Sequence, residues 1–234
     1  RFSGRRSYFD QIMRPVVDFP YHLTDLQAVF EGWTDGGNQI GLTAYSGRDI
    51  LALTNLDPED FPLRIQWDWG NDLLGFRFTH PRRDGGWWEV RTGYSRFSSG
   101  MAFPDFDDTD FVSEVDQASL EVDAVARPTP YLTLSLGTGA KRRSENNLAS
   151  TGGTECFSGK GRGTELSGYL QAEWKPSMDW LLELGFRGDR WAPDQGNPIQ
   201  VLSPRLSGKH SLAGAYHVYS QAAHNMGQVL NRAI

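Results

Sequence analysis

The chain has 234 residues with 26 Gly, 13 Phe, 8 Trp and 8 Tyr, a glycine- and aromatic-rich composition that favours strands and turns over helices. Its 23 Lys+Arg against 29 Asp+Glu give a net charge of −6 with no dense basic run, which argues against nucleic acid as a partner. Mean hydropathy is −0.50, and no apolar run approaches the ~18 residues a membrane helix needs; a membrane barrel, whose strands show only alternation, is not excluded by this.

Taken in order, residues 1 to 12 read as one entering strand, and five turn-like clusters follow: Thr34-Asp35-Gly36-Gly37-Asn38, Pro81 to Gly86, Arg127 to Pro130, Lys175 to Asp179 and Ser211 to Gly214. Centred on residues 36, 83, 129, 177 and 212, they lie 47, 46, 48 and 35 residues apart, the mark of a repeated hairpin unit. Around Gly36 the apolar set is Leu26, Ala28, Phe30, then Ile40, Leu42, Ala44; around Gly85 it is Leu74, Phe76, Phe78, then Trp88 and Val90. Around Pro128, Leu120, Val122, Ala124 and Ala126 precede the turn, and Leu132, Leu134 and Leu136 follow it.

Alternation is cleanest around Pro176. Leu166, Gly168, Leu170, Ala172 and Trp174 oppose Glu165, Ser167, Tyr169, Gln171 and Glu173; beyond the turn, Trp180, Leu182, Leu184 and Phe186 oppose Leu181, Glu183, Gly185, Arg187 and Asp189. In the last hairpin Leu202 and Leu206 oppose Ser203, Arg205, Ser207 and Lys209. A helical stripe would bury Glu173 and place Glu183 or Arg187 among leucines, so period two wins. The expectation is about 11 antiparallel strands, with residues 222 to 234 as loop or short helix.

Such a sheet with one apolar face belongs either to a soluble sandwich with that face inward or to a membrane barrel with it outward. Three features favour the barrel. The apolar face is simple and is expected to be capped near the hairpins by a girdle of Trp33, Trp87, Trp88, Tyr131, Trp174 and Trp180. Short turns alternate with long connections at 51 to 66, 99 to 111, 142 to 163 and 190 to 200, the asymmetry of outer-membrane barrels. The other face carries charges of both signs, which a wet lumen tolerates. Strands of 10 to 12 alternating residues also exceed the usual five or six of soluble sheets. The rival reading is a soluble secreted carbohydrate- or ligand-binding module.

Specific stretches then resemble a known family. Gly4-Arg5-Arg6-Ser7-Tyr8-Phe9-Asp10, Asp25-Leu26-Gln27-Ala28, Tyr45-Ser46-Gly47-Arg48-Asp49 and Trp69-Gly70-Asn71-Asp72 look like the mid-barrel of TonB-dependent outer-membrane receptors. Gly168 to Pro176, Leu184 to Trp191 and Leu202-Ser203-Pro204-Arg205-Leu206-Ser207 are similar to three later strands of that family. The resemblance spans essentially the whole chain. It implies an all-β, antiparallel up-and-down transmembrane barrel, residues 1–234 supplying about 11 strands of a barrel of roughly 22, without plug domain, TonB box or closing strand. It also implies a receptor in the bacterial outer membrane taking up a scarce ligand of siderophore, cobalamin or glycan type, with outer-membrane lipid and, through the plug, the TonB complex as partners.

Other motifs carry less. Gly153 and Gly159-Lys160-Gly161 miss the phosphate-loop spacing and lack its Ser or Thr. Asp105, Asp107, Asp108 and Asp110 offer oxygen ligands for calcium without the glycine and glutamate of the standard loop. His22, His80, His210, His217 and His224 lack metal-ligand spacing, and no nucleophile motif occurs, so neither enzyme activity, cofactor nor metal is expected. Cys156, the single cysteine, is placed in the longest outer loop. Tyr169, Gln171, Arg187 and Arg205 are expected to face the lumen, lining the wall, docking the plug or touching substrate.

Overall fold

The computed structural model describes residues 1–13, 20–53, 63–212 and 215–219. They form one 11-stranded sheet whose spatial order is the sequence order, β1 through β11, every neighbouring pair antiparallel. The strands are β1 (Phe2–Arg6), β2 (Tyr21–Trp33), β3 (Gln39–Ala52), β4 (Gln66–Pro81), β5 (Trp87–Phe103), β6 (Thr109–Thr129), β7 (Leu132–Thr151), β8 (Thr154–Ser177), β9 (Trp180–Pro193), β10 (Ile199–Leu212) and β11 (Ala215–Tyr219). The sheet is open: among the described residues β1 and β11 each have one neighbour.

The expected hairpins are present. The turns at 34–38 and 82–86 are built alike. In each the first residue's amide reaches the carbonyl of the fifth, Thr34 to Asn38 at 3.0 Å and Arg82 to Gly86 at 2.9 Å. The fourth residue is a glycine at positive φ, Gly37 at 78° and Gly85 at 74°, a backbone conformation that a Cβ disfavours. The last turn cluster falls partly on residues 213–214, outside the described residues, although Leu212 pairs with Ala215 across it. Residues 222 to 234 also lie outside them.

Three expectations are corrected. The entering strand stops at Arg6, and a one-turn helix α1 (Phe9–Met13) follows, begun by Tyr8 O accepting from the amides of Gln11 and Ile12 at 3.0 and 2.9 Å. The connections read as loops at 99 to 111 and 142 to 163 are mostly strand. β6, β7 and β8 run 21, 20 and 24 residues, and β7 meets β8 in a two-residue turn at Gly152 and Gly153, both at positive φ. Cys156 consequently sits in β8, exposed, rather than in a loop. Polar residues on both faces of these segments leave no alternation to mark them as strand, although their backbones stay paired along the sheet.

The register confirms the two faces. Leu170 lies opposite Leu136 and Phe186, Leu184 opposite Ala172 and Leu206, and Leu120 opposite Ala140 and Thr92. Side chains directly opposite share a face, so Leu26, Phe30, Leu42, Leu74, Leu120, Leu136, Leu166, Leu170, Leu184, Leu202 and Leu206 form one apolar surface. That surface is bare: Leu170 is 57% and Leu184 63% exposed. Leu53 and Val201 are the only buried apolar side chains among the described residues, so no second sheet within them covers the apolar face as a sandwich would require. Among the described residues no helix is long and apolar enough to cross a membrane, which says nothing of strands. At ~3.4 Å per residue and a tilt near 40°, the 14 residues of β9 rise about 34 Å, more than a hydrocarbon band ~25 Å tall.

Candidate functional site

The opposite face is a continuous polar wall. Glu89, Asp123, Gly137, Tyr169, Arg187 and Ser203 occupy one transverse row across β5 to β10. Arg91 is its hub. Its guanidinium lies 2.6 Å from Asp123, 3.0 Å from Glu121 and 3.3 Å from Glu89. Asp123 also accepts from the Tyr169 hydroxyl at 2.7 Å, Glu89 from the Thr79 hydroxyl at 2.7 Å, and Glu121 pairs with Lys141 at 3.6 Å. Outward from this centre run Arg77 to Glu31 at 3.4 Å, Arg187 to Asp189 at 2.7 Å, and the Ser207 hydroxyl donating to Glu183 at 2.7 Å. A Cβ at Gly137 would collide with the Tyr169 ring and the Asp123 carboxylate, so glycine there is what lets tyrosine cross the neighbouring strand.

The expected lumen residues fall where the alternation placed them. Tyr169 and Arg187 are opposite one another, Gln171 and Arg205 flank Gly185, and a Cβ there would stand 3.6 Å from Arg205 Cβ and 3.9 Å from Gln171 Cβ. All four share the polar face. The girdle divides. Trp88, Trp174 and Trp180 lie on the apolar face, Trp88 packed on Phe78 and His80 with ring centres 5.2 and 5.5 Å away, and Trp180 on His210 at 4.2 Å. Tyr131 is exposed in the turn between β6 and β7. Trp33 and Trp87 are corrected: they pair with Gln39 and with Pro81 and Val125, on the polar face, because each is one residue out of phase with its strand's apolar set.

Towards the long-overhang end the polar face changes character, a feature the sequence reading missed. Tyr21, Leu51, Trp67, Met101 and Phe111 fall in one row across β2 to β6. Trp69, two residues nearer the hairpin, tilts against Trp67 with ring centres 4.5 Å apart and stacks on Tyr21 at 6.4 Å. The rings are anchored at their polar ends, Tyr21 donating to Asp49 at 2.7 Å and Trp67 Nε1 to the Ser99 hydroxyl at 3.0 Å. The available signal was phase: Trp67 and Trp69 are odd-numbered on a strand whose membrane-facing residues Leu74, Phe76 and Phe78 are even. Beside this shelf, across β6 to β9, a hollow of about 1150 Å³ is lined by groups including Arg143, Glu145, Glu165, Arg187, Asp189 and Trp191.

At the same end Arg64, from the segment joining β3 to β4, clamps Asp105 in the turn before β6. Its amide and its Nε donate to the two carboxylate oxygens at 2.8 and 2.6 Å. The guanidinium hydrogen bond, then the amide, hold the Asp105 carboxyl below the ordinary carboxylate range. Asp105 is thus committed to an arginine, Asp107 and Asp108 take left-handed turn conformations at φ 53° and 47°, and no group of three or more His, Cys, Asp or Glu among the described residues is arranged to hold a metal ion.

No protein-family model matches the sequence, and no curated protein matches it. Solved structures do match. The alcaligin outer-membrane receptor FauA of Bordetella pertussis superimposes with a TM-score of 0.65 at 11% identity, over 82% of this chain and 33% of its own. The ferric yersiniabactin uptake receptor FyuA of Yersinia pestis gives 0.56 at 13% identity, over 82% and 40%. The outer-membrane ferripyoverdine receptor of Pseudomonas aeruginosa gives 0.56 at 12% identity, over 91% and 40%. The chain therefore spans well under half the length of these receptors. Its strands adopt the fold of the TonB-dependent outer-membrane receptor barrel that its sequence resembles, as an open part of that barrel's wall.

Proposed function

We propose that this chain is part of the wall of an outer-membrane receptor that captures a scarce ligand, most simply a metal-loaded siderophore, and passes it inward with TonB-coupled energy. One observation carries the reading: the sheet is inverted relative to a soluble protein, with bare leucines on one face and a charged, hydrogen-bonded wall on the other. The FauA, FyuA and ferripyoverdine receptor structures support it through fold. The work divides along the strands. The aromatic shelf of Tyr21, Trp67 and Trp69 offers flat apolar surface with polar edges above the membrane band, suited to a ligand with planar rings and oxygen donors. The ion-pair wall below keeps the lumen hydrated and presents both signs of charge to a plug, so that a docked plug is held by many weak, exchangeable contacts. The role is transport rather than catalysis.

The test is radio-iron accumulation by cells whose only receptor is the full-length protein, supplied with a panel of ferric siderophores. Uptake of at least one, abolished when the inner-membrane proton gradient is collapsed, is the expected result. Iron uptake that persists after collapse, or no iron uptake with any siderophore of the panel, would contradict the proposal.

A further inference from the structure

The polar face is not charged throughout. Between the row of Trp67 and the row of Gly75 it presents every second residue of β2 to β6, since directly opposite residues share a face. Asp25 and Asp49 are the only charged residues in those rows, and both are engaged: Asp25 pairs with Arg5 on β1, and Asp49 accepts from the Tyr21 hydroxyl at 2.7 Å. No lysine or arginine of β2 to β6 stands among them. Instead Tyr45, Leu73, Phe97 and Val115 carry the aromatic shelf down the strands, with Tyr45 and Leu73 exposed. Gln27, Asn71, Ser95 and Gln117 lie between them as uncharged hydrogen-bonding groups.

Charge resumes on two sides of this sector. The next row towards the hairpins holds Glu31, Arg77, Arg91 and Glu121, and on β7 the same rows continue into Lys141, Arg143 and Glu145. The bordering cations are committed to carboxylates: Arg77 to Glu31 at 3.4 Å, Arg91 to its three acids, Lys141 to Glu121 at 3.6 Å and Arg143 to Glu145 at 3.6 Å. At ~3.4 Å per residue, a tilt near 40° and ~4.8 Å between strands, the uncharged sector is about 20 Å tall and about 20 Å wide, room for one small chelate. Such a surface discriminates by charge. A multiply charged anion laid on it gives up water with no cation to answer it, and meets the Asp49 carboxylate besides. An uncharged ligand escapes that cost, and its amides and oxygens find the amide and hydroxyl groups between the rings.

We infer that this receptor selects an electrically neutral ferric chelate of the trihydroxamate type, in which three hydroxamate anions cancel the charge of the ferric ion, over the triply negative tris-catecholates. The flat, oxygen-edged chelate rings of a hydroxamate complex match Trp67 and Trp69, and its uncharged arms match the sector below. The inference rests on the siderophore-receptor reading above and narrows it. The test titrates the full-length receptor in detergent with ferrichrome, ferrioxamine E and coprogen, all uncharged ferric trihydroxamates, and with ferric enterobactin, reading tryptophan quenching. At least one uncharged chelate is expected to bind about tenfold tighter than ferric enterobactin or better. Ser95→Arg, which places a cation in the middle of the sector, is expected to narrow that ratio about tenfold by tightening the anionic chelate, a gain that misfolding does not produce. Ser98→Arg, three residues along the same strand but on the opposite face, is expected to leave the ratio within about twofold. Ferric enterobactin binding as tightly as every uncharged chelate, or a ratio that Ser95→Arg leaves unchanged in a folded barrel, overturns the inference. Heat-modifiable gel mobility reports folding of each variant. Radio-iron uptake separates the two readings: uptake carried only by anionic chelates keeps the receptor and overturns its selectivity, whereas no uptake with any siderophore removes both.

Discussion

On β9, Leu184 and Glu183 are neighbours in sequence that meet different solvents. Leu184 is 63% exposed with Ala172 and Leu206 beside it, whereas Glu183 accepts from Ser207 on the other face and lies beside Glu173 and Ser207. In a soluble sheet one of the two would be buried. Here neither is, because the apolar face ends in lipid and the polar face in water, and the hydrophobic contribution comes from contact with acyl chains after insertion rather than from a protein core. The comparison teaches that exposure alone does not distinguish the faces; chemistry along each face does.

The strongest way to break that comparison is to put charge on the apolar side. Leu184→Arg in the intact barrel is expected to cost about 2–4 kcal/mol, as for a cation near the bilayer midplane, measured by reversible unfolding into urea from lipid vesicles. Next in size is the polar wall's packing. Gly137→Val forces a branched side chain into the Tyr169 ring and the Asp123 carboxylate, with an expected loss of about 1–3 kcal/mol. A neutral result there would mean that the wall is loosely packed. Smaller again is Asp123→Asn, which weakens the hub by removing one of the three carboxylates around Arg91 while leaving an amide oxygen to accept from Tyr169. Because Arg91 keeps Glu89 and Glu121, about 1 kcal/mol is expected. Glu183→Arg, on the wet side, should fall within about 0.5 kcal/mol.

Acid sharpens the picture at the overhang. The Asp105 carboxyl is held below its ordinary range by Arg64, so it binds protons less readily when clamped than when free. The clamp is fully present above the ordinary carboxylate range and is lost as pH falls through the lowered value. Hydrogen exchange at the Arg64 amide should therefore accelerate on acidification beyond its intrinsic pH dependence, and Arg64→Gln should show that acceleration already at neutral pH.

Much of this was legible in the sequence because membrane strands advertise two faces. The hairpins around Gly36, Gly85, Pro128 and Pro176 and the lumen positions of Tyr169, Gln171, Arg187 and Arg205 follow from period two alone. Legibility failed where one solvent surrounds the strand. Residues 142 to 163 are polar on both sides, as loops are, yet they form β7 and β8 with 24 residues in the latter. The aromatic shelf was missed for a related reason: Trp67 and Trp69 lie above the band, where their phase can be read only by counting down the strand to Leu74. Trp33 and Trp87 were assigned by proximity to a turn rather than by parity, and parity decides.

The central claim is that the leucine face meets lipid, and Leu184→Trp in the full-length protein tests it most directly. With the protein folded in vesicles whose acyl chains are brominated near the bilayer centre, indole fluorescence at position 184 should be strongly quenched relative to unlabelled lipid, whereas Gln171→Trp on the polar face should be quenched little. Equal fluorescence of the position-184 indole in brominated and unbrominated vesicles, in a correctly folded barrel, would contradict the account.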